Sequence, residues 1–285
     1  MTIRPRSLWI LAVLVASISP QLDVAGAADA PDAPASAAPA VAAPAASSIF
    51  RATLGETGEA TPEISTEEMK GILDAGTTVV FDARPFREYA VSHIPGARNV
   101  ASKPGVPMSD YVSDVAEIGR VLHDNKATPV VLYCNGPFCG KSKRLAAELK
   151  TAGYTNVRRY QLGIPVWRAL GEPTQIEPAA LRRVASEDRT AFFIDARDPE
   201  AYRAGTIAGA RNLPRSGVLR GKDVGVVKEA KNDGRLPVED HNTRVIVLAK
   251  DAADARFVAE ALAREAFHNA AYFGGTFEEA AAALK

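Results

Sequence analysis

The feature that most constrains this chain's fold is an internal repeat. Phe81, Asp82, Ala83, Arg84, Tyr89, Ile94, Gly96, Ala97, Arg98 and Asn99 recur as Ile194, Asp195, Ala196, Arg197, Tyr202, Ile207, Gly209, Ala210, Arg211 and Asn212, each 113 positions on. Solenoid repeats run ~20–50 residues, so a period this long implies two duplicated domains.

Both halves predict the same order of elements. A helical segment (66–74; 178–186) precedes a strand (78–82; 191–195), a short helix carrying Tyr89 or Tyr202, and a Pro-Gly or Ala-Gly turn. A second apolar strand (129–134; 244–249) and a long amphipathic helix (142–152; 254–266) follow. Strands alternating with helices imply an α/β class with a mostly parallel sheet covered on both faces. Ligands gather at the carboxyl ends of such strands, which is where Cys134 falls.

The rest of the chain bounds its setting. Arg4 and Arg6, an apolar run from Leu8 to Ile18 and the small residues Ala25, Gly26 and Ala27 have the layout of a secretory signal peptide over 1–27. The run is shorter than the ~20 residues a spanning helix needs, so no stable membrane insertion is expected after cleavage. Residues 28–49 are largely Ala and Pro and read as a disordered linker, leaving domains over 50–174 and 175–285. Export to a bacterial periplasm is the expected localisation. Lys plus Arg and Asp plus Glu both total 34, so no basic excess points to nucleic acid. His93, His123, His241 and His268 lack ligand spacing, so neither a metal nor another cofactor is expected.

Thiol chemistry is confined to one loop, because Cys134 and Cys139 are the only cysteines. Cys134 ends an apolar strand and a helix follows, an arrangement whose unpaired N–H groups favour a thiolate. Asn135, Gly136, Phe138, Cys139, Gly140, Lys141 and Ser142 form the expected binding loop. Gly136 and Gly140 allow it to curl, and Lys141, Lys143 and Arg144 offer positive charge to an anion. A persulfide needs these parts: a nucleophilic sulfur, backbone donors around it and cations. In an oxidising compartment the same two cysteines also read as a disulfide pair, and the two readings are compatible.

The string FDARPFREYAVSHIPGARNV (81–100), followed by VVLYC (130–134), closely resembles the rhodanese family, in tandem across the chain after the linker. The resemblance implies a five-stranded parallel sheet flanked by helices in each half. It also implies a sulfurtransferase in which Cys134 takes sulfane sulfur from a small anionic donor such as thiosulfate and passes it to a thiol or cyanide, with a periplasmic protein thiol as one candidate acceptor. Three features of the loop depart from the family's usual form: the path from Cys134 to Ser142 is longer, Lys141 stands where an arginine is common shortly before the helix, and Cys139 is additional. The Cys-x5-Arg loop of the phosphatase branch would require arginine where Gly140 stands, which disfavours phosphate esters.

The repeat separates chemistry from scaffold. Ala249 occupies the nucleophile's place in the second half, which should therefore be inactive. Asp82 and Arg84 recur there and read mainly as fold maintenance; with Lys143 they remain accessory site candidates. His93 belongs to a structural turn, and Trp167 is expected to pack a helix onto the sheet. Two other functions fit the residues: a thiol-disulfide or sulfur-relay protein cycling Cys134 with Cys139, and a binding module in which the pair is only a bridge.

Overall fold

The computed structural model describes residues 48–101, 105, 107 and 114–285. The expected signal peptide and nearly all of the expected linker lie outside these residues.

The first half opens with α1 (Thr66–Ala75). Ser65 and Glu68 close a capping box at its start and Gly76 ends it in the left-handed region. There follow β1 (Val79–Asp82), α2 (Phe86–Val91), β2 (Arg98–Asn99), α3 (Asp114–Val121), β3 (Val130–Tyr133), α4 (Gly140–Thr151), β4 (Val157–Tyr160) and α5 (Gly163–Ala169). The second half runs β5 (Thr174–Ile176), α6 (Pro178–Glu187), β6 (Phe192–Asp195), α7 (Pro199–Ala204), β7 (Arg211–Asn212), α8 (Gly225–Asn232), β8 (Val245–Leu248), α9 (Ala252–Arg264), β9 (Ala270–Phe273) and α10 (Phe277–Leu284).

Two parallel sheets result, ordered β2-β1-β3-β4 and β5-β9-β8-β6-β7. The first has four strands among the described residues, not the expected five. Its fifth place is held by a one-residue parallel bridge between Glu63 and Arg159, with Ile64 N–H donating to the Arg159 carbonyl at 2.8 Å. Its counterpart β5 pairs over three residues with β9. The polar, glycine-containing approach from Gly55 to Glu63 lacks the apolar alternation that sustains a strand.

Side chains alternate across each sheet, so each strand feeds two cores. Phe81, Val130 and Leu132 meet α3 and α4 on one face; Val80, Val131 and Tyr133 meet Met69 and Trp167 on the other. β3 is buried throughout, as a central parallel strand covered on both sides must be. Trp167 is buried and donates from Nε1 to the Pro173 carbonyl at 2.9 Å.

The halves share apolar packing. Ala90, with Phe86 and Val91 of α2, enters the cluster formed by Leu181 of α6 and Phe277 of α10. An antiparallel bridge between His93 and Gln175 adds two backbone bonds, of 3.0 and 2.8 Å.

Candidate active site

β3 delivers Cys134 to its carboxyl end at the centre of the first sheet, and the loop Cys134 to Cys139 then leads into α4. The helix begins at Gly140, earlier than the expected Ser142, so much of the apparent extra loop length is the first turn of α4. Glycine is a poor helix former and a lysine in the first turn opposes the helix dipole, so the start is weakly signalled locally and tertiary packing decides the boundary.

Cys134 and Cys139 are joined by a disulfide, with their Cα atoms 6.1 Å apart. Cys134 is 2% exposed, whereas Cys139 is only partly buried. Cys139 is also the N-cap of α4 and makes no side-chain capping bond. The bridge thus ends at the residue from which α4 starts.

The loop is held from below. Gln161 follows β4 beside Cys134, since Tyr133 pairs with Tyr160 in register. Its Nε2 donates to the carbonyls of Pro137 and Cys139 at 3.3 and 3.4 Å, while its Oε1 accepts from Ser142 Oγ at 3.2 Å. Cys139 N–H closes on the Gly136 carbonyl at 3.0 Å. Gly136 has φ 97°, a left-handed position suited to glycine. Gly163, at φ 65°, lies so close that a Cβ there would be 2.5 Å from the Cys134 carbonyl oxygen and from Gly136 N.

Beneath Gln161, a fully buried Arg159 donates to its Oε1 and to Thr61, and pairs with Glu56, Glu59 and Glu63 at 3.3, 3.7 and 3.8 Å. These acids come from a strap preceding α1, whose Leu54 and Gly55 amides also donate to Glu63. Lys143 joins the same cluster through Glu56 and Glu59. The Glu56 hydrogen bond chiefly raises the Lys143 pKa; burial would raise that of Glu56, but bonds from Lys143 and Arg159 outweigh it and hold it low. Arg144 pairs with Glu148 at 3.5 Å. Of the three expected cations, Lys141 alone makes no ion pair among the described residues. The other loop residues differ in exposure: Gly136 and Ser142 are buried, Gly140 and Asn135 exposed, and Phe138 fully exposed. Asn135 Nδ2 donates to Glu88 at 2.5 Å.

Asp82 and Arg84 form a separate buried cluster. The Arg84 guanidinium grips the Asp82 carboxylate through Nε at 3.0 Å and also reaches the Ser92 carbonyl at 2.6 Å; Tyr133 OH donates to Asp82 at 2.6 Å. Burial and the Asp82 charge raise the Tyr133 pKa well above its ordinary value, so this phenol stays a donor. The same grip joins Arg197 to Asp195, with Thr206 Oγ1 in place of the phenol. Neither cluster residue bonds to the cysteine loop.

The second half lacks more than the thiol. β8 and α9 are joined by only Ala249, Lys250 and Asp251, where the first half has six residues from Cys134 to Cys139. Gly274 follows β9 where Gln161 follows β4. Sequence reasoning missed Gln161, Arg159, Gly163 and the strap acids. A polar side chain just past the strand beside the cysteine strand was the available signal for Gln161. A cavity of about 380 Å³ lined by Lys70, Arg98, Trp167, Glu172, Arg256 and Tyr272 contains no residue of the cysteine loop.

The family comparison agrees with this architecture. The rhodanese-like domain signature matches residues 65–170 and 177–283. SseB of Mycobacterium tuberculosis, provisionally named a thiosulfate sulfurtransferase, is 27% identical over 254 residues, which cover 70% of this chain and 87% of SseB. An HTH-type transcriptional regulator of the same organism is 28% identical over 116 residues, 41% of this chain; the chain spans 46% of that relative. Among solved structures, SseA of Escherichia coli, described as a 3-mercaptopyruvate sulfotransferase, aligns at 20% identity and TM-score 0.34, covering 76% of this chain and 98% of SseA. With a family match across both sheets, the chain belongs to the rhodanese-like domain family and carries two such domains in tandem.

Proposed function

We propose that this protein is an exported, periplasmic sulfurtransferase that carries sulfane sulfur on Cys134. The observation that carries the reading is the placement of Cys134 at the carboxyl end of the central strand, in a backbone-lined loop opening onto a helix N-terminus. Thiosulfate fits such a site. The Cys134 thiolate attacks its outer sulfur, the donor's S–S bond breaks, and sulfite leaves with the electron pair. The persulfide then gives its terminal sulfur to a thiolate or cyanide. Lys141 is the cation available to the incoming anion, and the second half serves as scaffold.

The disulfide makes the reading conditional on redox state, because a bridged Cys134 has no nucleophilic electron pair to offer. Reduced Cys139→Ser protein mixed with thiosulfate should gain one sulfur atom by intact mass, and both oxidised wild-type protein and Cys134→Ser should gain none. Absence of any gain with a panel of sulfane donors overturns the proposal. The bridge also favours a second reading, a thiol-disulfide carrier that handles electrons without sulfur. Under that reading, reduced protein reduces a disulfide substrate and Cys139→Ser is as damaging as Cys134→Ser.

A further inference from the structure

We propose that Cys139 is a resolving thiol that attacks the Cys134 persulfide, expels its outer sulfur as hydrosulfide and closes the disulfide. This rests on the sulfur-transfer reading and adds a product, a second catalytic residue and a need for a thiol reductant.

The geometry argues for it in three ways. The disulfide shows that Cys139 Sγ reaches the Cys134 sulfur within this fold. The loop does not rely on the bridge for its shape, because Gln161 holds the Pro137 and Cys139 carbonyls and the Cys139 amide bonds to Gly136. Opening the bond therefore leaves the two thiols as neighbours. The sulfurs also differ in access: Cys134 is 2% exposed and Cys139 only partly buried. A reductant enters at Cys139 Sγ, and Cys134 departs as the thiolate ready for the next donor.

The step balances. The Cys139 thiolate attacks Cys134 Sγ; the bond between Cys134 Sγ and the outer sulfur breaks, and that sulfur leaves with the electron pair and the proton as hydrosulfide. The dithiol is oxidised by two electrons and the sulfane sulfur reduced by two. An external thiol then reduces the bridge. Over a cycle, one thiosulfate and two thiols give sulfite, hydrosulfide, one disulfide and a proton.

The test uses the reduced, desalted full chain with one equivalent of thiosulfate and no other thiol, following released sulfide and intact mass together. Wild type should release one equivalent of sulfide and end as the disulfide. Cys139→Ser and Cys139→Ala should retain the added sulfur and release no sulfide, and Cys134→Ser should do neither. A wild-type persulfide as long-lived as that of Cys139→Ser, or equal sulfide release from both, overturns the resolving role while leaving sulfur transfer intact. If no form gains sulfur or releases sulfide, the sulfur-transfer reading falls and takes this inference with it. Running both Cys139 variants keeps a folding defect in one from deciding the result.

Discussion

Arg159 Nη1 donates to Gln161 Oε1 at 2.8 Å. With Ser142 donating to the same oxygen, the amide can only turn its Nε2 toward the cysteine loop. A buried guanidinium thus sets the polarity of the group that shapes the site. Gln161→Ala should destabilise the protein by ~1–3 kcal/mol, since it strips partners from buried polar groups, and should slow sulfur loading of Cys134. Urea denaturation and loading rates on the reduced protein measure the two effects.

Gly163 combines positive φ with close approach to the Cys134 carbonyl, so Gly163→Ala meets both strain and a backbone clash. A loss of more than about 1 kcal/mol is expected, with the loop displaced. Disulfide formation after reduction should slow in parallel, which thiol titration over time will follow. Unchanged stability and closure would refute the close packing.

Arg159→Met should cost ~3–5 kcal/mol by leaving Glu63 buried without its cation. The damage should extend to the strap, and amide exchange at residues 53–63 is expected to accelerate while α9 keeps its protection. Equal acceleration in both places would mean global unfolding.

Burial pushes the His93 imidazole down to about 4, a nearby Arg84 adding to the effect while the Tyr89 carbonyl and Asp82 oppose it. The unfolded chain, with its histidine near 6.5, therefore binds the proton first as pH falls. The stability contribution is complete above about pH 6.5, declines as pH drops toward about 4, and totals up to roughly 3 kcal/mol. In denaturation at stepped pH, His93→Gln should flatten this part of the curve.

The scaffold was legible in the sequence because it is built from short-range pairs used twice. Asn99 Nδ2 bonds to the Asp82 and Arg84 carbonyls at 3.0 and 2.8 Å, and Asn212 repeats the pattern on Asp195 and Arg197 at 2.9 Å each. Such conjunctions show in a repeat even without coordinates. Arg159 and Glu56 did not show, because they are far apart in sequence and meet only when the strap is laid beside β4. Lys143 looked like a free cation for the same reason. The thiol loop was visible, but its bond to Cys139 stayed one of two readings until backbone positions set the distance.

Gln161 grips the loop only by main-chain oxygens, those of Pro137 and Cys139. Its path is thereby largely decoupled from the outward side chain it displays, the fully exposed Phe138. That segment behaves as an interchangeable cassette: the outward Phe138 position can be rewritten while the backbone held by Gln161 stays as it is.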